Sequence, residues 1–284
     1  MITPKQLYRF FSKRHQTVFL DYSVSPKPRK GLNPHPQLYS LIADHRKTYQ
    51  QLLESILEHK ERFFTIKTQQ AESSKTEPVW NNGFLPGLDM LAIEGMLAAY
   101  KPAKYIEIGS GNSTKMARFA IKNNGLATKI TSIDPYPRAE IDPLADNIIR
   151  KPLEDIADIS WICKELAEND ILFIDNSHRS FSNSDVTVCF LEILPYLKKG
   201  VIVHVHDIYL PYDYPDFMAE RFYNEQYMLA GMVLSNPVRY QPLLPNYFIS
   251  RDSELKQILN PLWNHPALAG VEQHGGSFWM RIGE

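Results

Sequence analysis

Short apolar runs that alternate with helical stretches dominate the chain from about residue 100 to residue 205, and this alternation most constrains the fold. It is typical of a parallel β-sheet covered by helices on both faces. The predicted strands are Lys104–Ile108, Lys129–Ile133, a weaker one near Ile148–Ile149, Ile171–Ile174 and Val201–Val205. The predicted helices between them are Thr114–Asn124, Asp158–Ala167 and Asp185–Leu197. We therefore predict an α/β fold, with a last strand of alternating character in the C-terminal GGSFWMRI.

Polar residues follow these strands at the points where each strand ends. In open α/β sheets, ligands bind beyond the carboxyl ends of the strands. A single acid at such a place has an ordinary explanation as a turn residue or helix cap, but unpaired buried carboxylates are costly. Their repetition therefore indicates a ligand site. The strand-end residues are Glu107 with the turn Gly109–Gly111, then Asp134, Asp175 and His206–Asp207.

The turn after the first predicted strand reads IEIGSGNST and is the most informative of these ends. Gly109 and Gly111 let the backbone turn tightly and approach a ligand closely. Ser113 or Thr114 can cap the helix that follows. Asp134, at the end of the second strand, stands where an acid accepts hydrogen bonds from ribose hydroxyls. These features fit either a dinucleotide or an adenosyl cofactor.

Two residues distinguish between these cofactors. The dinucleotide fingerprint has a third glycine where this chain has Thr114. Glu107 places a carboxylate where a pyrophosphate would lie, and like charges repel, whereas a carboxylate suits the ammonium group of an amino-acid-bearing nucleoside. No G-x-x-x-x-G-K-[ST] phosphate loop occurs. The turn therefore favours S-adenosylmethionine (SAM).

Composition argues against other classes of partner. The 31 lysines and arginines are balanced by 32 acids, so no basic excess suggests a nucleic-acid partner. No apolar run is long enough to cross a bilayer, and we expect a cytoplasmic protein without a membrane partner. Cys163 and Cys189 lie far apart in apolar helical patterns and are interpreted as reduced core thiols.

The first 80 residues differ from the rest and are predicted to form a helical extension with a linker, ahead of a catalytic domain over 81–284. Basic residues without acids in the first 20 positions favour an amphipathic helix, with a transit peptide as the alternative. Helical spacing from Pro36 to about Phe64 predicts one long helix, interpreted as a packing or oligomerisation element. The polar segment Thr68–Pro78 is interpreted as a linker or loop.

Taken together, several segments resemble the class I SAM-dependent methyltransferases, in the family 24 branch related to caffeoyl-CoA and catechol O-methyltransferases. The resemblance implies a Rossmann-like three-layer fold, with a seven-stranded, mostly parallel sheet whose last strand is antiparallel. It covers about Asn81 to the C-terminus. The segments are NNGFLPGLDMLAIEGML, IEIGSGNST, FIDNSH, VHVHDIYLPYDYP, FYNEQYML and GGSFWMRI.

The resemblance also implies roles for particular residues. Those expected to bind SAM are Glu107, Gly109, Ser110, Gly111, Ser113, Asp134, Glu154 and Asp175. A helix N-cap is an equal alternative for Glu154. Independently of the resemblance, four residues stand at the ends of neighbouring predicted strands, where their side chains can converge, and are expected to be catalytic: Asp175, His178, His206 and Asp207.

Metal dependence is left open by the same strand ends. In the metal-dependent relatives, an acid at one strand end and an acid–amide pair at the next bind a divalent cation. Asp175 and Asp207 match the two acids, but Ile208 stands where the amide would be. A mixed site that includes a histidine would suit a transition metal better than magnesium.

We expect an O-methyltransferase acting on a small hydroxylated acceptor, such as a sugar or a natural-product intermediate. A histidine or carboxylate near the methyl group can take the hydroxyl proton. Two alternatives remain at this stage. One is an NAD-type oxidoreductase, and the other is a cofactor-binding protein without turnover whose N-terminal helices serve assembly.

Overall fold

A computed structural model gives the structure of residues 4–12, 16–18, 20–29, 33–69 and 75–284. The helices are α1 (Pro4–Phe11), α2 (Pro36–Ala43), α3 (Arg46–Leu57), α4 (Lys60–Phe63), α5 (Gly87–Tyr100), α6 (Asn112–Asn123), α7 (Trp161–Glu165), α8 (Asp185–Val188), α9 (Asp216–Ala219), α10 (Glu225–Ser235), α11 (Asn246–Arg251), α12 (Leu255–Ile258) and α13 (Asn260–Trp263). The strands are β1 (Lys104–Ile108), β2 (Lys129–Ile133), β3 (Asn147–Ile149), β4 (Ile171–Ile174), β5 (Ile202–Val205), β6 (Tyr240–Pro245) and β7 (Phe278–Ile282).

The strands form one seven-stranded sheet in the order β3-β2-β1-β4-β5-β7-β6. The five strands from β3 to β5 are parallel, whereas β7 runs antiparallel to both of its neighbours. The order reverses between β1 and β4, and the carboxyl ends of these strands are where such a sheet binds ligands. This is the Rossmann-like sheet that the sequence predicted, with its last strand antiparallel.

The five predicted parallel strands are confirmed to within two residues, and the C-terminal strand begins at Phe278, three residues after the predicted Gly275. Every residue of β4 and β5 is buried. The predicted helix Asp185–Leu197 is present as a helical run that changes from α8 to a π segment, Cys189–Ile193, and a 3₁₀ segment. β6 was not predicted, since Pro242 and Pro245 interrupt its strand signal.

The prediction of one long helix from Pro36 to Phe64 is wrong. Turns at residues 44–45 and 58–59 divide this stretch into α2, α3 and α4. The apolar spacing continues across both turns, so periodicity alone does not reveal them.

These N-terminal helices pack into the same hydrophobic core as the sheet. Tyr49 and Leu53 are fully buried, and Ile56 lies so close to α5 that a Cβ on Gly95 would come within 2.4 Å of it. The structure thus supports the packing interpretation. The domain boundary at residue 80 and a role in oligomerisation stay predictions.

Across the described ranges, no helix combines the length and the apolar character that spanning a membrane would require. Cys163 and Cys189 are buried free thiols, as predicted. The predicted linker lies partly outside the described residues, because positions 70–74 are among those not described.

Candidate active site

The glycine turn after β1 is built around a contact that only glycine permits. Gly109 has φ of +80°, and a Cβ at this position would lie 1.8 Å from the carbonyl oxygen of Asp175. The backbones that follow β1 and β4 therefore touch at the switch point of the sheet. Since φ in this region is unfavourable for other residues, the conformation and the close approach both require glycine.

Glu107 lies beneath this turn and is not among the residues that line the cavity, and its expected contact with the cofactor stays a prediction. Its side chain is fully buried. Ser113 Oγ donates to Glu107 Oε1 at 2.5 Å, and Thr114 Oγ1 donates to Oε2. Burial raises the pKa of Glu107 to about 8, although these hydroxyl hydrogen bonds act against the shift.

Asp134, at the end of β2, joins the glycine turn to the loop that follows β2. Ser110 N donates to Asp134 Oδ2 at 2.8 Å, and Tyr136 N donates to Oδ1 at 2.7 Å. Both hydrogen bonds hold the carboxylate at the carboxyl edge of the sheet. Asp134 therefore lies beside the turn where the sequence placed a ribose-binding acid.

One cavity of about 750 Å³ connects these elements and has the volume of a small-molecule site. Leu85, which precedes α5, and Tyr136 contribute to its wall and were not foreseen as site residues. Glu107 and Asp207 lie outside the lining. The predicted site residues that do line the cavity are Gly109, Ser110, Gly111, Ser113, Asp134, Glu154, Asp175, His178 and His206.

The far end of the cavity is formed by the segments that follow β4 and β5. His178 and Asp207 both have positive φ, +63° and +54°, which non-glycine residues rarely adopt. Such strain persists where the surrounding structure holds it and is concentrated at functional sites. Asn224 N donates to the His178 carbonyl at 3.1 Å and helps hold this conformation.

The four residues expected to be catalytic converge at this end. His178 Nε2 lies 3.6 Å from Asp175 Oδ1 and 3.4 Å from Asp207 Oδ2. His206 Nδ1 lies 3.7 Å from Asp175 Oδ1 and 3.5 Å from Asp207 Oδ1. Each ring thus directs one nitrogen toward the same two carboxylates, in close contact but without a hydrogen bond.

Two further carboxylates lie behind these histidines. Glu225, the first residue of α10, lies with Oε1 2.5 Å from His178 Nδ1. Asp89, in α5, lies with Oδ2 3.7 Å from His206 Nε2. Both acids are fully buried. Neither acid was predicted as a site residue, and Asp89 is one of two acids in the apolar run GLDMLAIEGML.

Asp89 is held by the C-terminal glycine segment. Its carboxylate accepts hydrogen bonds from Gly276 N at 2.8 Å, Ser277 Oγ at 2.6 Å and Asn246 Nδ2 at 2.8 Å. A Cβ on Gly275 would come within 2.5 Å of Asp89 Oδ1, so this glycine lets the segment close around the acid. The sequence GGS therefore supports the histidine end of the cavity as well as leading into β7.

Asn224, which directly precedes α10, and the first residues of α10 fix the loops around the site. Asn224 Oδ1 accepts hydrogen bonds from the backbone and hydroxyl of Ser180, beyond β4. Gln226 Oε1 accepts a hydrogen bond from Tyr209 N, beyond β5. Glu225 lies between them and contacts His178. The motif NEQY thus joins both strand-end loops, a role that only the structure reveals.

The surrounding charges set the protonation of the two histidines. Burial alone lowers the pKa of His178, but Glu225 and then Asp207 outweigh it and raise that pKa to about 10. Burial also lowers the pKa of His206, and the neighbouring carboxylates, Asp207 first, bring it above its usual value. Burial raises the pKa of Asp207. The carboxylates around His178 therefore favour its protonated form.

The residues present do not fit the metal site of the metal-dependent relatives. The position after Asp207 is a buried isoleucine, Ile208, rather than an oxygen ligand. His178 Nε2 and His206 Nδ1 lie 3.4–3.7 Å from the carboxylate oxygens of both acids. Within the described ranges, no group of three or more histidine, cysteine and acidic residues has the arrangement of a metal site.

Comparison with known proteins agrees with this architecture. The sequence model of methyltransferase family 24, described as a methyltransferase domain, matches residues 106–208. That segment contains the glycine turn, Asp134, Asp175 and the His206–Asp207 pair. Over these residues the chain is therefore similar to the SAM-dependent methyltransferases of family 24, and the order and direction of its strands agree with that similarity. The oxidoreductase alternative loses its support.

Similarity to other proteins is low. The SAH-bound methyltransferase PaMTH1 of Podospora anserina is 14% identical with a TM-score of 0.41, over 81% of this chain and 88% of that one. An O-methyltransferase from Bacillus cereus, in complex with SAH, is 11% identical with a TM-score of 0.35, over 87% and 100%. No curated protein matches the chain. At these TM-scores, the similarity carries no argument about substrate.

Proposed function

We propose that this protein transfers a methyl group from SAM to a hydroxyl oxygen of a small-molecule acceptor. The observation that carries the proposal is the single cavity that runs from the glycine turn and Asp134 to His178 and His206. One end has the features of a nucleoside site, and the other has groups able to bind and deprotonate a hydroxyl.

The glycine turn and Asp134 are proposed to hold the adenosyl part of SAM. Gly109 and Gly111 leave the backbone open to close approach, and Asp134 offers carboxylate oxygens to the ribose. Glu154 lines the cavity on an exposed 3₁₀ turn and is proposed to approach the base. When bound, SAM supplies a methyl group that the acceptor oxygen takes up as the carbon–sulfur bond breaks.

His206 is proposed to accept the proton that the hydroxyl loses. The Nε2 edge of its ring faces Asp89, whose oxygens accept hydrogen bonds, so the neutral ring is expected to carry its proton there. That tautomer leaves Nδ1 as the acceptor nitrogen, beside Asp175. Asp175, with 36% of its side chain exposed, is proposed to orient the acceptor.

The experiment that tests the proposal is calorimetric titration with SAH, beside an NAD⁺ control, followed by a screen for transfer of labelled methyl from SAM to hydroxylated acceptors. We expect micromolar SAH binding, no NAD⁺ binding and a product methylated on oxygen. Binding of NAD⁺ in place of SAH would overturn the cofactor assignment. A product methylated on nitrogen would overturn the assignment of the acceptor.

A further inference from the structure

The contact between Glu225 and His178 is short and buried. Its oxygen–nitrogen distance is 2.5 Å, and it joins α10 to the segment after β4. Glu225 is fully buried, yet its second oxygen, Oε2, has no hydrogen-bond partner. A buried carboxylate oxygen without a partner costs stability, on the order of 1–3 kcal/mol. Asp89, in contrast, uses both oxygens.

The contacts of His178 with its neighbours fix the orientation of its imidazole ring. Tyr223 stacks on one side of the ring, with a centroid distance of 4.6 Å. Glu225 takes Nδ1, so Nε2 must face the two strand-end acids. With both nitrogens beside carboxylates, the ring presents an N–H group at Nε2 to the acceptor end of the cavity.

We propose that Glu225 is a positioning residue that holds the His178 ring as a fixed Nε2–H donor, and that this donor replaces the divalent metal of the metal-dependent relatives. The inference rests on the proposed function, because it assigns a role within the same site. In those relatives, a cation beside the two acids orients the acceptor oxygens. Here His178 lies beside Asp175 and Asp207 and is oriented by a third acid from α10.

Two consequences follow for the reaction. A hydrogen bond from His178 Nε2–H to the acceptor oxygen stabilises the negative charge that develops when the hydroxyl loses its proton to His206. A single N–H donor orients one oxygen, whereas a metal ion can bind two. The acceptor therefore needs one hydroxyl group and no neighbouring hydroxyl, and methyl transfer needs no added metal.

The first test is nuclear magnetic resonance of the full-length protein with ¹⁵N-labelled histidine, in the presence of SAH. The His178 signals, assigned with His178→Gln, are expected to show both ring nitrogens protonated at neutral pH. Adding Mn²⁺, which broadens signals near its binding site, is expected to leave His178 and His206 unchanged. Broadening of these signals at micromolar Mn²⁺, or a gain in SAH affinity with it, would overturn the proposal.

The second test uses Glu225→Gln, with the exposed Glu220→Gln as the matched control. In Glu225→Gln, the His178 signals are expected to change to those of a neutral ring, with SAH affinity within about threefold of wild type. Its kcat with the acceptor found by screening is expected to fall at least tenfold, and Glu220→Gln is expected to behave as wild type. Unchanged His178 signals and kcat in Glu225→Gln would refute the role of Glu225.

These experiments separate the two proposals. Absence of SAH binding in the wild type would refute the proposed function, while the His178 signals of the free protein would still report its contact with Glu225. If Glu225→Gln does not fold, Glu225→Asp withdraws the carboxylate by one methylene and keeps its charge. The Mn²⁺ measurement on the wild type tests whether a metal binds beside His178 and His206, whether or not Glu225→Gln folds.

Discussion

Replacing Gly109 by alanine is expected to destabilise the fold and to weaken SAH binding together. The φ of +80° costs a non-glycine residue about 1–2 kcal/mol. The new Cβ would lie 1.8 Å from the Asp175 carbonyl oxygen, which is backbone and can move only with the end of β4. Such overpacking adds about 1–3 kcal/mol, for a total of about 2–5 kcal/mol.

For a chain of this size, 1 kcal/mol shifts the melting temperature by about 2–4 °C, so Gly109→Ala should lower it by about 4–20 °C. Thermal unfolding with and without SAH measures both effects, since a ligand raises the melting temperature only if it still binds. The matched control is Gly231→Ala in α10, where a Cβ meets nothing within 4 Å and alanine favours the helix. A Gly109→Ala protein that melts within about 2 °C of wild type would refute the reasoning.

Three further predictions concern single side chains. Asp134→Ala should weaken SAH binding by about 10–100-fold in calorimetry, since it removes hydrogen bonds to a charged group, and unchanged affinity would contradict a ribose-binding role. His206→Gln should lower kcat by about 10²–10⁴-fold with little change in SAH affinity, the loss typical of a missing general base, and full activity would move that role to another group. The folded-state pKa of Glu107, about 8, lies above its unfolded value, so Glu107 favours the folded state less as pH rises from about 4.5 to about 8. Glu107→Gln should therefore lower the melting temperature less at pH 8 than at pH 5.5, and an equal loss at both pH values would count against a neutral Glu107.

The central strands β4 and β5 were predictable because every residue in them is buried. Such strands are continuous apolar runs, and each prediction agrees with the structure to within two residues. The N-terminal helices were less predictable, since the turns at 44–45 and 58–59 leave the apolar spacing intact. β6 was not predicted, because Pro242 and Pro245 lack the backbone N–H groups that a strand normally donates.

Within the candidate site, the sequence predicted which side chains stand at strand ends, and the structure shows which neighbours they contact. Glu107 was expected to contact the cofactor, yet Ser113 and Thr114 use both of its oxygens beneath the turn. A sequence gives the order of residues along a strand, and it does not reveal which of them a following helix will cover. The remaining assignments to individual site residues stay predictions that the binding and activity measurements above will test.

The sequence by itself determined the glycine turn, the acids at the strand ends and the sheet that brings them to one edge, because these depend on local periodicity and on the topology of parallel strands. Only the tertiary structure decided that Asp89 lies behind His206 and Glu225 behind His178. These acids come from α5 and α10, which lie far from their partners along the chain. A buried charge is stable only beside a suitable partner. Here the packing of the helices brings that partner from a distant part of the chain, so the spacing of residues in the sequence does not predict the contact.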